Sequence, residues 1–402
     1  MTALTEDLTR ELHELYKHLH AHPELSMQEH ATAELIEQRL QALGYRTTRC
    51  GGTGVVGVLE NGDGPVVGFR ADTDGLPVAE QTGLAYASGA RGTLADGSDV
   101  PVMHACGHDT HITAAIGAAT LLVESREQWS GTVVLVFQPG EETAAGAVAM
   151  LEDGLWDKVP RPEVMYAQHV SNDLTGTIRL SSGPAMAVAD SWEVTVHGTG
   201  GHASRPSDTI DPVLLAAHMV VRLQGVVSRE VPAQSPAVVS VATFHAGLKE
   251  NIIPSEAVFT INVRTLDQTV RENVLTAIRR ILSAEAAASG APEPEVRELY
   301  TFPLLTNDPA ETEHVTGVLT RALGADRVSA RPAQMGSEDF GALPDALRIP
   351  GVYWFFGGTP QEVIDSPDPT PANHSPFFAP VLEPTLSTAV TAAYEVIRSR
   401  LG

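Results

Sequence analysis

Leu4, Leu8, Leu12, Leu15 and Leu19 recur at spacings of four and three, which predicts an amphipathic helix over the first twenty residues with one buried face. Pro23 ends it. Leu35, Ile36, Leu40 and Leu43 predict a second helix that stops at Gly44, a suitable left-handed C-terminal cap. The pattern then shifts to short β-rich runs at Val55 to Leu59, Val66 to Arg70, Thr132 to Phe137, Val164 to Gln168 and Val352 to Phe356. These runs are apolar along their whole length, and helical stretches separate most of them. Together they predict an α/β fold with a mainly parallel, mixed sheet flanked by helices on both faces.

From Ser191 to about Tyr300 the rhythm differs. Trp192 to Val196, Val238 to Phe244 and Val258 to Val263 read as strands, and Asp211 to Val227 and Gln268 to Ala288 as helices, with a weaker strand near Val296. That strand-helix-strand-strand-helix order suits a small ferredoxin-like α+β unit inserted in the larger one. The expected division is 1–185 with 300–402 for the main domain and 186–299 for the insertion. A last helix carries Leu382, Leu386, Val390, Ala393, Ile397 and Leu401 on one face.

The 402 residues suffice for two cores. Fifty Asp and Glu against 26 Lys and Arg give a formal charge of -24, which repels nucleic acid and anionic membrane and excludes both as expected partners. The start, Met1 to Asp7, has neither a basic nor an apolar leader region, and no long apolar run follows, so the expected location is the cytoplasm. The two cysteines, Cys50 and Cys106, are too few for a disulfide scaffold, which leaves Cys106 free to act as a ligand.

Polar clusters rich in metal-ligand types follow the apolar runs, where α/β sheets place their sites. Arg70 leads into Asp72 and Asp74, Phe137 into Glu141-Glu142, and Gln168 into His169; a fourth strand at Val102-Met103 is expected before His104-Ala105-Cys106-Gly107-His108-Asp109. Cys106 and His108 flank one glycine that lets the backbone turn both donors toward one cation, and His111 follows three residues on. Thiolate, imidazole and carboxylate together suit zinc or manganese. The adjacent Glu141 and Glu142 repel each other unless a cation or proton separates their roles, so that one binds metal while the other moves protons. His18, His20 and His22 are spaced by two at a helix end, do not share a face, and read as surface or packing residues.

The segments His22-Pro23-Glu24-Leu25-Ser26, Arg70 to Pro77, His104 to His111, Gly140-Glu141-Glu142, Gly201-His202-Ala203-Ser204, Asn251-Ile252-Ile253-Pro254, Gly336 to Phe340 and Asn373-His374-Ser375-Pro376 are highly specific in their order and combination. Over nearly its whole length the chain resembles the N-acyl-amino-acid amidohydrolases, a metallopeptidase-related family that includes hippurate hydrolases and plant auxin-conjugate hydrolases. The resemblance implies a zinc-peptidase-like main domain and an inserted lid that mediates assembly into a homodimer or higher homo-oligomer. It implies two divalent ions, zinc or manganese with cobalt and nickel as further candidates, held by Cys106, His108, Glu142, His169 and His374 with Cys106 bridging. Glu141 is then the general base and acid, and Asp72 and Asp74 form the acidic motif beside the metals. His202 approaches the scissile carbonyl, from its own or a partner subunit, and Asn251 and Arg264 surround the substrate carboxylate. One departure stands out: the family's second histidine after Gly-His-Ala-Ser is Ser207 here.

The implied reaction is metal-dependent hydrolysis of the amide bond of an N-acyl amino acid, releasing a carboxylic acid and a free amino acid. Close alternatives are a metallo-dipeptidase or carboxypeptidase and a non-catalytic ligand-binding relative. A different chemistry, with Cys106 as nucleophile and His108 or His111 as base, leaves the Glu-Glu pair and His169 without a role.

Overall fold

The computed structural model of the protein describes residues 4–402. Its principal strands are, in chain order, β1 (Arg46–Cys50), β2 (Gly54–Asn61), β3 (Val66–Asp72), β4 (Gly131–Gln138), β5 (Val164–Leu174), β6 (Ile178–Leu180), β7 (Val188–His197), β8 (Ala237–Ala246), β9 (Glu256–Thr265), β10 (Glu295–Phe302), β11 (Val328–Ala330) and β12 (Gly351–Thr359). The principal helices are α1 (Glu6–Ala21), α2 (His30–Ala42), α3 (His108–Glu124), α4 (Pro212–Glu230), α5 (Gln268–Ala288), α6 (Pro309–Leu323) and α7 (Thr385–Arg398). The chain divides into two compact units, one of Met1–Ala185, Thr306–Pro332 and Asp339–Gly402, the other of Met186–Leu305 with Ala333–Glu338.

The larger unit is built on an eight-stranded sheet in the order β1-β2-β4-β3-β5-β12-β6-β11. The central neighbours β4, β3, β5 and β12 are parallel, while β1, β2 and β6 bring antiparallel pairings, so the sheet is mixed and mainly parallel at its centre. Side chains alternate between faces. Val67, Phe69 and Ala71 of β3, Val133, Leu135 and Phe137 of β4 and Val352, Trp354 and Phe356 of β12 enter the core that also holds Leu12, Ile112 and Val390 of α1, α3 and α7. The other face therefore receives Arg70 and Asp72, Gln138, and His169. The alternation that buries the core thus also gathers the polar residues of the site.

Local signals fix the helix ends. Thr5 caps α1 by accepting from Leu8 N, Glu6 and Asp7 favour its positive end, and the chain leaves the helix before Pro23. Gly44 takes the left-handed conformation (φ 84°) just past α2. Truncating a fully buried core residue such as Leu12 removes about 2–5 kcal/mol.

The smaller unit has a four-stranded antiparallel sheet in the order β8-β9-β7-β10. With α4 following β7 and α5 following β9, this is a β-α-β-β-α-β, ferredoxin-like arrangement. Trp192, Val194, Phe259 and Ile261 from the sheet meet Leu215, Met219, Leu223, Val274 and Ile278 from the helices in a separate core. Asp211 and Asp267 cap α4 and α5 through their carboxylates.

Candidate metal centre

Three strands of the larger unit deliver the polar clusters. β3 ends at Asp72 and leads to Asp74; β4 ends at Gln138 and leads through Gly140 into a single turn, Glu141–Thr143. β5 carries His169 inside the strand, paired with Phe355, rather than beyond its end as expected. The expected strand at Val102-Met103 is absent: Met103 makes only an isolated bridge to Leu76. What brings Cys106 and His108 to the sheet is instead the tight entry into α3. Gly107 there adopts φ 83°, and a Cβ at this position would collide with Val170 Cγ1 of β5, so glycine permits both the turn and the close approach.

His108 Nδ1 lies 3.2 Å from Asp74 Oδ1. The other Asp74 oxygen accepts from Ser26 Oγ at 2.6 Å and from Glu142 N at 3.1 Å, so His108 donates and its Nε2 is left with a free lone pair. That Nε2 is buried and has no hydrogen-bond partner. Around it stand carboxylate oxygens of Asp72 at 3.7 Å, Glu142 at 3.8 Å and Glu141 at 4.0 Å. These separations are too long for hydrogen bonds, yet they suit donors that each stand about 2.0–2.2 Å from a shared ion.

Beside it, Cys106 Sγ is 3.4 Å from His169 Nε2. His169 Nδ1 donates to the Val170 carbonyl at 2.6 Å, which turns the Nε2 lone pair toward the sulfur. His374 Nε2 comes within 3.3 Å of Glu142 Oε1, a buried oxygen that makes no hydrogen bond. Ligand atoms of Cys106, Glu142 and His374 all lie within 4.8 Å of one another, as do those of Asp72, His108, His111 and His169. His374 adopts φ 71°, held by its N–H to the Ala105 carbonyl at 2.8 Å.

The electrostatics call for positive charge. Burial raises the Asp72 carboxyl, but the neighbouring His108, His111 and Arg70 outweigh it and hold the group well below its ordinary value. Asp74 is likewise lowered, its hydrogen bond from His108 outweighing burial. Burial alone lowers His108; Asp72, Asp74 and Glu142 reverse this and push it up to about 10. A proton on His108 thus balances carboxylates that a divalent cation would balance equally well. Burial and the nearby His111 keep His169 neutral, the form that ligates metal. Burial, then the carboxylates of Glu142, Glu141 and Asp72, push the Cys106 thiol well above its usual range, opposite to what a thiol nucleophile needs and reversible by a cation.

Several residues support this set from behind, among them His111, which the sequence grouped with Cys106 and His108 as a candidate donor. His111 donates from Nδ1 to Asp72 and accepts the Val170 N–H on Nε2 at 2.8 Å, so both nitrogens are spent and it acts as a strut. Arg70, fully buried, donates to Asp72 at 2.6 Å and to Asp339 at 3.0 Å. Asn373 Nδ2 donates to the carbonyls of Cys106 and Val170 at 3.1 and 3.2 Å, tying the thiol-bearing turn to β5. A lone charge within the apolar run of β3 was the available signal for Arg70; for Asn373 there was none beyond its motif.

Three candidate residues lie in the smaller unit. A two-residue ribbon pairs His202 with Ile252, and Ala203 N donates to Asn251 O at 3.1 Å, so His202 and Asn251 are neighbours on exposed chain. His202 Nδ1 accepts from Ser204 N at 3.1 Å, which leaves the ring proton on Nε2. Arg264 is held by neutral groups, Nε to Asn262 Oδ1 at 2.9 Å and Nη1 to Met335 O at 2.8 Å and Ser337 Oγ at 3.2 Å.

A mixed sheet whose strand ends gather buried carboxylate, imidazole and thiol donors around cation-demanding space defines a divalent-metal-dependent hydrolase. The chain belongs to Peptidase family M20/M25/M40, whose model matches residues 68–398. It is 38% identical over 346 residues to the N-acetylcysteine deacetylase of Bacillus subtilis, covering 84% of this chain and 86% of that one. It is 37% identical over 339 residues to the hippurate hydrolase of Campylobacter jejuni, covering 83% and 85%. It is 35% identical over 351 residues to thermostable carboxypeptidase 2 of Saccharolobus solfataricus, covering 86% and 85%. The crystal structure of Bacillus subtilis YXEP, a dinuclear metal binding peptidase from the M20 family, superposes with a TM-score of 0.77 at 31% identity, covering 99% of both chains. Among the described residues no helix is long and apolar enough to cross a membrane.

Proposed function

We propose that the protein hydrolyses the amide bond of N-acyl amino acids with the help of two divalent ions. Cys106, His108, Glu142, His169 and His374 are the residues that would hold them. The observation that carries this reading is the unpartnered, buried His108 Nε2, ringed by three carboxylates at 3.7–4.0 Å with its other nitrogen fixed by Asp74. The mixed donor set favours zinc or manganese.

Divalent ions bound there would supply a water of lowered pKa, from about 15.7 toward about 7, and a Lewis acid for the acyl carbonyl. Glu141, the carboxylate of this group most distant from His108 and only 5% exposed, takes the proton from the attacking water and returns it to the leaving nitrogen. Asp74 and Asp72 keep His108 and His111 in their tautomers. His202 donates a hydrogen bond from its Nε2–H to the oxyanion, and Arg264, whose protein partners are all neutral, grips the substrate α-carboxylate with Asn251. No covalent intermediate is needed, in keeping with the raised Cys106 thiol.

The inserted unit is proposed to mediate self-association: β8 is an edge strand bearing Phe244, and Leu214 and Val221 of α4 are exposed. The carboxypeptidase relative keeps one alternative in view, a peptide whose acyl part is itself an amino acid. A panel of acetyl, benzoyl, long-chain and indoleacetyl amino acids beside dipeptides, run before chelation, after it and after return of Mn²⁺ or Zn²⁺, tests the reading. Turnover of acyl amino acids that stops and recovers is expected. Activity that survives complete metal removal, or is confined to dipeptides, overturns it.

A further inference from the structure

Beyond the metal ligands, the site face of the larger unit continues toward the β6-β11 edge with residues that the reaction above does not use. Register places His169 of β5 beside Phe355 of β12, Phe355 beside Arg179 of β6, and Arg179 beside Ser329 of β11. Residues paired in this way share a face, as do those two apart along a strand. Arg331, one residue past β11 and two past Ser329, continues this face, and Asp173, beyond the bulge that interrupts the β5-β12 register after Ser171, is tied to it by its contacts with Arg179 and Arg331. The contacts agree: the Arg331 guanidinium lies 4.2 Å from the centroid of the Phe355 ring, and the Phe355 and His169 rings are 6.2 Å apart.

The charge on this patch is unusual for the chain. Asp173 is shared between Arg179 at 3.0 Å and Arg331 at 3.3 Å, leaving two guanidinium groups against one carboxylate on a molecule of net charge -24. A guanidinium has five N–H donors, and Arg331 spends only one on Asp173. Its plane is fixed by the ring beneath it, which lowers the entropy lost when a flat anion pairs with it. Arg331 is mostly enclosed, its side chain 16% exposed, whereas Arg179 is 45% exposed. Bracing a sheet edge would require neither two arginines on one acid nor a stacked cation one ring away from His169.

We propose that Arg331, stacked on Phe355 and backed by Arg179, is a recognition point for a second carboxylate of the substrate, distinct from the α-carboxylate assigned to Arg264. This deepens the N-acyl-amino-acid reading and rests on it. The substrate class it selects is an N-acyl amino acid with a further anionic group, carried either by the acyl chain or by the amino-acid side chain.

Two matched pairs separate these sources: N-succinyl-leucine against N-butyryl-leucine, and N-acetylglutamate against N-acetylglutamine. In the metal-loaded wild type, at least one pair should favour the anionic member by about tenfold or more in kcat/KM, the worth of one or two charge-assisted hydrogen bonds. Arg331→Met keeps an apolar stem over Phe355, and should erase that preference through KM while the neutral member is turned over much as before. The more exposed Arg179→Met should reduce the preference in the same pair, and carries the test if R331M does not fold. No preference in either pair, or equal losses on neutral and anionic members in the soluble variants, overturns the carboxylate site while leaving the hydrolase reading intact. Failure to turn over the four compounds and every acyl amino acid of the panel above, in a protein shown to hold metal, removes both.

Discussion

At the scale of single residues, two carboxylates of one pocket are separated by what surrounds them. Asp74 receives hydrogen bonds from His108, Ser26 and the Glu142 backbone, so it is fixed and its proton affinity is lowered. Its task is to orient, and Asp74→Asn should disturb it by offering His108 the wrong partner. Loss of about 10–100-fold in metal affinity, read by titration with a competing chelator, is expected, with activity recovering at high metal concentration. Glu141 is proposed to move a proton, so Glu141→Gln should keep the metal content and the fold but lower kcat about 10²–10⁴-fold. Metal analysis together with steady-state kinetics on the best acyl amino acid checks this. Near-normal turnover of every substrate would remove Glu141 from its role. The contrast between the two variants matters most: one should be rescued by added metal and the other should not.

At the scale of elements, the helix entry at His108 is held from behind by α1. His20, fully buried, donates from Nδ1 to Asp109 at 2.7 Å and from Nε2 to Glu80 at 3.0 Å, so one imidazolium joins α1, the first turn of α3 and the loop after β3. Burial lowers His20, but the two carboxylates outweigh it and raise it to about 10 from 6.5. Because the folded value lies above the unfolded one, its contribution is complete below about pH 6.5 and is lost as the pH rises toward 10. His20→Gln should therefore cost most stability at about pH 6, just below the unfolded value, and the gap in denaturation midpoint from wild type should narrow steadily as the pH rises to 10. A constant gap would mean that His20 is neutral in the folded protein. This junction also shows where the sequence was legible. The leucine spacing of α1, the apolar runs of β3, β4 and β12, and the whole of α5 declare themselves because burial imposes a period. His20 read as a surface or packing residue because its partners, Asp109 and Glu80, are 89 and 60 residues away. The short strands β6 and β11, three residues each, carry no period to detect. His111 matched the spacing of a ligand, and only the strand brought against it reveals that its second nitrogen is already bonded to Val170.

At the scale of the whole molecule, charge and metal are linked to stability unequally in the two units. The larger unit buries Asp72, Asp74 and Glu141, and each group of three or more potential ligands among the described residues takes at least two of its members from that unit. The smaller unit has its own apolar core around Trp192, Phe259 and Ile278. A cation bound at the carboxylate cluster stabilises the folded form by about 4 kcal/mol at a thousand times its Kd, and it relieves the like-charge repulsion as well. For a unit of this size, each kcal/mol moves the melting temperature by roughly 2–4 °C. Scanning calorimetry of metal-loaded and chelated protein should then show one transition falling by roughly 10 °C and another unmoved. Arg70 gives the comparison that localises the effect. It already neutralises part of the cluster through Asp72 and Asp339, so Arg70→Met should lower the first transition further in chelated protein than in loaded protein. A single transition that ignores chelation would mean that the carboxylates are balanced by the protein alone, and the metal centre would lose its electrostatic basis.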